Sequence, residues 1–217
     1  IRCVQAVGQL EGFEMVVQEF PWGSNYYRET GLMMPIDGLA QLRNFDAIYF
    51  GAVGDPDIPD DVTLWGLRIA ICQGFDLYAN VRPAVMLPGV QSPLRSDLSQ
   101  QLDWVVIREN SEGEYAGAGG RTHQGHADEI AIDSSVFSRK GVERIQRYAF
   151  ELAAKEQGKR LTCVTKSNAQ RFGMVLWDEV FADLAEEYSV VETDKVLVDA
   201  AAARMVLDPG SFDVIVA

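Results

Sequence analysis

The sequence predicts an α/β fold built on a mainly parallel sheet. From residue 104 onward, apolar runs of strand length alternate with amphipathic helical segments, the pattern of parallel strands joined by right-handed crossovers. Ligands of open α/β sheets lie off the carboxyl ends of the strands. Three predicted strands deliver polar side chains there: Arg108 with Tyr115, Lys166 with Asn168, and Asp199. This coincidence favours a binding or catalytic site.

The composition fits a globular protein and argues against several functional classes. A chain of 217 residues with 47% hydrophobic content can bury a core in one or two domains. The net charge of −13 argues against nonspecific nucleic-acid binding. No apolar run approaches the roughly 20 residues that span a bilayer, and the first residues lack the pattern of a signal peptide. We therefore expect a cytoplasmic protein without nucleic-acid or membrane partners, whose three separated cysteines are reduced.

The first part of the chain mixes helix and strand signals. Apolar residues at helical spacing predict a helix over residues 1–10, which Gly12 ends. Alternation predicts β-structure over 13–20. The apolar run 46–54 predicts a strand, and it ends in glycines that would let a ligand or another backbone come close. These glycines do not form the GxGxxG dinucleotide fingerprint.

A change of domain is expected near residue 90. Residues 62–75 predict a helix, and 76–83 predict an extended segment that breaks at Pro83. The residue before a proline is held out of helical geometry, which fixes the direction of Arg82. The prolines and glycine of 88–93 are typical of a domain crossing, so we expect domains over 1–90 and 91–217.

The second part alternates regularly. Strands are predicted over 104–107, 161–168, 193–199 and 212–217, and helices over 138–155, 172–187 and 200–207. The core face of the helix over 172–187 is predicted to carry Val175, Val180, Phe181 and Leu184. A projecting pair of strands would fit residues 117–133. His123 and His126 within it could bind a metal, but without a third ligand nearby a surface loop is favoured.

The polar residues after the strands suit particular chemistry. Arg108 offers a planar fork for a carboxylate or a phosphate, and the phenol of Tyr115 can exchange a proton. A lysine at a strand's rim is most often solvated, but Lys166 could carry a proton beside an anionic site. The alternative for residues 104–121 is a strand followed by a solvated turn.

Motifs throughout the chain resemble one known family, the decarboxylating β-hydroxyacid dehydrogenases, which include isocitrate, isopropylmalate, tartrate and D-malate dehydrogenases. The matching stretches, in the family's order, are residues 20–35, 45–54, 80–83, 106–115, 165–168 and 198–199. The motif Arg-Glu-Asn-Ser-Glu-Gly-Glu-Tyr (108–115), with Thr-Leu-Trp-Gly (63–66) upstream, most resembles the tartrate/D-malate branch.

The resemblance implies a two-domain, isopropylmalate-dehydrogenase-like fold, with 1–90 on the cofactor side and a dimerisation arm at about 117–133. It implies an oxidoreductase that uses NAD and Mg²⁺ or Mn²⁺ to oxidise a small 2-hydroxy diacid such as tartrate or D-malate. The implied homodimer shares its sites, so that Lys166 and Asp199 act in the partner's site.

The resemblance also implies individual roles. Arg82 and Arg108 would clamp substrate carboxylates, and Tyr115 would protonate the enolate that remains after CO₂ leaves. The other three roles are removal of the hydroxyl proton by Lys166, metal binding by Asp199, and contact with the nicotinamide ribose by Asn168.

Two departures from the family pattern leave alternatives open. Cys72 stands where the family has a further substrate arginine, and Arg68, one helical turn earlier, is the candidate replacement. The family's first strand, two further metal aspartates and the adenine-binding loop are expected before residue 1 and after residue 217. The alternatives are a catalytically incomplete fragment that acts as a dimerising, substrate-binding scaffold, another family activity such as 3-isopropylmalate dehydrogenase, and a phosphate-binding protein of another family.

Overall fold

The computed structural model describes residues 1–95, 98, 102–155 and 159–217, which form two compact units, Ile1–Phe75 and Asp76–Ala217. The sequence predicted a division after residue 90, whereas the structure groups 76–90 with the second unit. These residues contain a strand that pairs with the strand at Asp103–Glu109. The roles assigned to the two domains remain predictions.

The first unit is built from short helices. In order they are α1 Arg2–Glu11, α2 Ser24–Thr30, α3 Gly38–Leu42, α4 Asp60–Thr63, a π-helical turn Leu64–Ile69 and α5 Ala70–Gly74. The predicted first helix is present, and Gly12 ends it with a φ of 76°, in the left-handed region that glycine adopts without strain. The helix predicted over 62–75 is also present, with the π turn inside it.

Two strand predictions for this unit were wrong. Residues 13–20 and 46–54 have no regular secondary structure. A strand needs a partner for its N–H and C=O groups, and no segment in the described part of the chain forms a ladder with either stretch. Their apolar residues still pack: Phe20, Ile48 and Val53 lie against a buried cluster. That cluster consists of Met33, Leu42, Leu67 and Ile71.

The second unit contains a five-stranded sheet. Its elements are β1 Ala79–Val85, β2 Asp103–Glu109, β3 Gly113–Thr122, β4 Ile130–Val136, α6 Arg139–Lys155, β5 Leu161–Thr165, α7 Gly173–Glu187, β6 Thr193–Leu197, α8 Val198–Leu207, a 3₁₀ turn Pro209–Ser211 and β7 Val214–Val216. The strand order is β1-β2-β7-β5-β6. Only β1 runs antiparallel to its neighbour, so the predicted mainly parallel sheet is confirmed.

Pro83 does not end the extended segment as predicted, since β1 continues to Val85. A proline cannot donate a ladder hydrogen bond, but a strand at the edge of a sheet tolerates this on its outer side. Because β1 is the first strand in the order, Pro83 lies at such an edge.

Helices cover both faces of the sheet. On one face α6 and α7 bury Ile145, Phe150 and Trp177 against Leu161 and other strand residues. On the other face Ala201 of α8 packs with Val164, Phe212 and Ile215. Strands buried on both faces are mostly apolar, which explains why the sequence revealed them so clearly.

One predicted core position was wrong. Val175 is 37% exposed, whereas Trp177, two residues later on α7, is 1% exposed. Val180, Phe181 and Leu184 are buried as predicted.

Strands β3 and β4 form a separate antiparallel hairpin, with β4 exposed along its whole length. The predicted pair of strands is therefore present, and its role in dimerisation remains a prediction. His123 and His126 lie exposed in the connecting turn, as a surface loop requires. No helix in the described ranges is both long and apolar enough to cross a membrane.

Candidate functional site

The two arginines predicted to hold substrate carboxylates share one face of the β1–β2 pair. Arg82 lies opposite Val106, and Asn80 lies opposite Arg108. Residues that are opposite in an antiparallel pair point to the same face, as do residues two apart on one strand. Arg82 and Arg108 are therefore diagonal neighbours, with Cα atoms about 7–8 Å apart. This spacing suits the two carboxylates of one small diacid.

Arg108 is held by Asn110 and Tyr115. Its Nη2 donates to Oδ1 of Asn110 at 3.3 Å, and its guanidinium carbon lies 4.8 Å from the centroid of the Tyr115 ring. Its Nε is buried and donates to no acceptor within the described ranges. Since a buried donor normally has an acceptor, a bound carboxylate would complete this arrangement.

Asn110 is a residue to which the sequence assigned no role. It is 3% exposed. Its Nδ2 donates to the carbonyl oxygen of Leu77 at 2.9 Å, and its backbone N–H donates to that of Tyr78 at 2.9 Å. Asn110 thus fixes the end of β2 to the segment that enters β1. The signal was its position directly after a buried strand, among the other polar residues.

A buried carboxylate fixes the turn that follows Arg108. Oε1 of Glu109 accepts the backbone N–H groups of Asn110, Ser111 and Glu112 at 2.7–3.0 Å, together with the hydroxyl of Ser111 at 2.8 Å. Several donors on one oxygen hold both the side chain and the loop in a single arrangement. The path from Arg108 to Tyr115 is therefore rigid where it begins.

Arg144 on α6 was also missed. Its Nη1 donates to both carboxylate oxygens of Asp76, at 2.9 and 2.8 Å, and its Nη2 donates to the Ser111 hydroxyl at 2.9 Å. The guanidinium carbon lies 4.6 Å from the centroid of the Tyr78 ring. The sequence predicted only a helix over residues 138–155, and nothing in that pattern identified Asp76 as the partner of Arg144.

Lys166 and Asp199 are joined directly by an ion pair. Lys166 follows β5, and Asp199 lies in the first turn of α8, two residues beyond the end of β6. The sequence predicted Asp199 at the end of the strand itself. Because β5 and β6 are parallel neighbours, their carboxyl ends lie side by side and the two side chains meet. Asn168 lies exposed in the turn after Lys166.

The second unit thus presents the predicted residues in two groups, of which the second lies at the carboxyl ends of β5 and β6. The substrate group consists of Arg82, Arg108 and Tyr115, and the lysine group consists of Lys166, Asn168 and Asp199. Both β2 and β5 pair with β7, so one strand separates the groups, a spacing of about 10 Å between backbones.

The remaining two predicted positions lie in the first unit. Arg68 belongs to the π-helical turn, and the half-buried Cys72 belongs to α5. All three cysteines, Cys3, Cys72 and Cys163, are free thiols as predicted.

The described residues do not fit a complete metal site. Mg²⁺ and Mn²⁺ prefer several oxygen ligands in near-octahedral geometry. Within the described ranges, no group of three or more His, Cys, Asp or Glu side chains could hold an ion. Asp199 offers one carboxylate, whose closest partner is Lys166.

Comparison with known proteins adds to this geometry. The model of the isocitrate/isopropylmalate dehydrogenase family matches residues 1–217. The chain belongs to this family. The predicted family and its α/β fold class with a mainly parallel sheet are thereby confirmed.

Curated relatives agree with the predicted branch. A probable tartrate dehydrogenase/decarboxylase of Agrobacterium vitis is 56% identical over 218 residues, which cover 100% of this chain and 61% of the relative. The decarboxylating D-malate dehydrogenase of Escherichia coli is 46% identical and is covered to the same extent. The chain therefore spans about three fifths of the length of these relatives.

A solved structure agrees with the fold. The isocitrate dehydrogenase of Methylococcus capsulatus superposes with a TM-score of 0.83 at 29% identity. The match covers 99% of this chain and 61% of that protein.

Proposed function

We propose that the whole protein to which these residues belong is an oxidoreductase that oxidises and decarboxylates a small 2-hydroxy diacid such as tartrate or D-malate. NAD would accept the hydride, and Mg²⁺ or Mn²⁺ would assist the reaction. The names of the curated relatives support the substrate class. The observation that carries the proposal is the diagonal arginine pair of β1 and β2, with Tyr115 against one member.

Binding would begin at the arginine pair. Arg82 and Arg108 would each hold one carboxylate of the diacid, and this would fix the carbon that bears the hydroxyl group. The buried Nε of Arg108 supports this role because a carboxylate would give it the acceptor that it lacks among the described residues. Neutral 2-hydroxy compounds would bind poorly because they would leave the half-buried Arg108 without a counter-charge.

Oxidation would follow with Lys166 as the proton acceptor. Lys166 would assist removal of the hydroxyl proton while the same carbon gives up a hydride, for which NAD is the acceptor. The exposed amide of Asn168 suits a hydrogen bond to a ribose hydroxyl at this edge of the sheet. Among the described residues, only the carboxylate of Asp199 is available to the metal.

Decarboxylation would use Tyr115. Oxidation leaves a β-keto acid, whose β-carboxylate departs as CO₂. The electrons of the broken carbon–carbon bond stay on the substrate as an enolate. Tyr115 would give its phenolic proton to the enolate carbon. The close contact with Arg108 supports this role because the acid would be held beside a residue that binds the substrate.

The two groups of side chains would serve different active sites. In the proposed homodimer, Lys166 and Asp199 would act in the partner's site, with the β3–β4 hairpin as the dimerisation arm. An isolated two-stranded hairpin is only marginally stable, so a covering surface for it is expected.

A substrate panel tests the proposed function. The purified whole protein is assayed for NADH and CO₂ with Mn²⁺ and D-malate, tartrate or 3-isopropylmalate, beside Lys166→Ala as the inactive control. NADH formation from D-malate or tartrate in the wild type alone supports the proposal. Preference for 3-isopropylmalate would assign the other family activity, and a lack of Mn²⁺-dependent NADH with every substrate would reject the oxidoreductase.

A further inference from the structure

Asp178 on α7 connects three segments at the carboxyl edge of the sheet. Its side chain is only 14% exposed. Oδ2 accepts the hydroxyl of Ser167 at 2.8 Å and the ammonium group of Lys195 on β6 at 2.9 Å. No sequence pattern assigned a role to Asp178, Ser167 or Lys195.

Ser167 is the centre of the loop that carries the proposed lysine group. It lies between Lys166 and Asn168, and its backbone N–H donates to the hydroxyl of Thr165 at 3.3 Å. The carbonyl oxygen of Lys166 accepts the N–H groups of Ala169 and Gln170, both at 2.9 Å, so the loop closes into a turn. Among these contacts, the Ser167 hydroxyl makes the one that ties this turn to α7.

The charge of Asp178 suits this contact. Burial alone would raise the pKa of the Asp178 carboxyl, but the hydroxyl of Thr165, the ammonium of Lys195 and the hydroxyl of Ser167 together hold that pKa below its ordinary value. The carboxylate therefore remains ionised at neutral pH, where it accepts a stronger hydrogen bond from Ser167 than a neutral group would. Lys195 compensates its charge and orients it from the strand next to β5.

We propose that Asp178 is a positioning residue, which holds the Lys166–Asn168 turn through the Ser167 hydroxyl and thereby sets where Lys166 and Asn168 meet the substrate and the cofactor. The inference rests on the proposed function of Lys166 and Asn168. Asp178 itself would touch neither the substrate nor the cofactor. A turn held only by its own backbone would let both neighbours move, and a displacement of about 1 Å at a reacting group can cost a hundredfold in rate.

The test uses Ser167 because its removal leaves the core of α7 intact. In the whole protein, Ser167→Ala should lower kcat roughly tenfold to a hundredfold. It should raise KM for NAD while KM for the hydroxy acid stays within about twofold, because Arg82 and Arg108 lie on other strands. Ser167→Thr keeps the hydroxyl and should restore most of kcat. A purely structural role would change thermal stability without this split between the two KM values.

A double-mutant cycle shows whether Asp178 acts through Ser167. Asp178→Ala should lower kcat at least as far as Ser167→Ala, and the double variant should lose no more than Asp178→Ala alone. Asp183→Asn is the matched control on the same helix: that carboxylate is 72% exposed, it pairs with Arg139, and its removal should leave kcat unchanged.

Failures of this inference and of the proposed function are distinguishable. Wild-type kinetics in Ser167→Ala, no recovery in Ser167→Thr, or additive losses in the double variant would each overturn the role of Asp178, while an inactive Lys166→Ala would leave the proposed function standing. Normal turnover in Lys166→Ala would instead overturn the role of Lys166 and with it the reason to position its turn.

Discussion

The guanidinium carbon of Arg108 lies 4.8 Å from the centroid of the Tyr115 ring. A cation over an aromatic face is attracted by the electron density of the ring, and the attraction grows as water is excluded. Arg108, which would bind the substrate, and Tyr115, the proposed acid, are therefore one unit. Hydrogen bonds of Asn110 and Glu109 fix the geometry of this unit. A change at either member should affect binding and proton transfer differently.

Arg108→Lys should weaken substrate use even though the charge is kept. A lysine loses the planar fork and the stacked contact with Tyr115, and hydrogen bonds to charged groups contribute about 1.5–3 kcal/mol. We expect kcat/KM for D-malate to fall roughly tenfold to a hundredfold, with little change in KM for NAD. Steady-state kinetics measure both. Arg139→Lys, at an exposed ion pair on α6, is the control that should behave as wild type, and an unchanged kcat/KM in Arg108→Lys would remove Arg108 from the substrate site.

Tyr115→Phe should separate the contact of the ring with Arg108 from the donation of the phenolic proton. The phenyl ring can still stack against Arg108, so KM for the hydroxy acid should change little, whereas loss of the acid should slow product formation by roughly 10²- to 10⁴-fold. The measurement is the ratio of released β-keto acid to decarboxylated product, determined by chromatography after a fixed time. If the variant gave the wild-type ratio at the wild-type rate, another group would be the proton donor.

The sheet and its site edge could be predicted because the sequence encodes them locally. Strands β2, β5 and β7 are covered on both faces, so each carries a short, mostly apolar run. Parallel strands bring their carboxyl ends together, so residues that follow β5 and β6 were expected to be near one another. Lys166 and Asp199 are indeed paired.

Long-range contacts could not be predicted in the same way. Nothing near Asp178 in the sequence indicates that it accepts hydrogen bonds from Ser167 and Lys195. These contacts arise from the packing of α7 on the sheet. The absence of the strand predicted at 46–54 has a related cause: an apolar run shows that a segment is buried, but only a partner makes it a strand.

Gly119→Ala should damage the β3–β4 hairpin. A Cβ at Gly119 would overlap the carbonyl oxygen of Ile132 on the paired strand, and a backbone atom cannot move aside as the end of a side chain can. We expect loss of the hairpin register and a lower apparent mass in size-exclusion chromatography if the hairpin is the dimerisation arm. Gly120→Ala is the matched control, since a Cβ there meets nothing within 4 Å. Equal behaviour of the two variants would contradict the close approach at Gly119.

Cys163 should make the folded state less stable at high pH. Burial is the largest influence on the pKa of its thiol and raises that pKa from 9.0 to about 12. The indole N–H of Trp177 donates to the sulfur at 3.2 Å and partly opposes the shift. Below pH 9 both the folded and the unfolded chain keep the proton, and the full stability is present. Between pH 9 and about 12 only the unfolded chain releases it, so the free energy of unfolding should fall by roughly 1 kcal/mol for each pH unit in that window.

The control for Cys163 keeps the hydrogen-bond acceptor and removes the titration. Cys163→Ser still offers Trp177 an oxygen, and its hydroxyl does not ionise in this range. Urea unfolding of both proteins across the window measures the difference in their slopes, which cancels the lysines and tyrosines that titrate in each. Alkylation gives a second measure: the exposed Cys3 should react in the native protein while Cys163 stays protected until unfolding. Parallel pH profiles for the two proteins, or rapid native alkylation at Cys163, would show that this thiol ionises as freely in the folded chain as in the unfolded one.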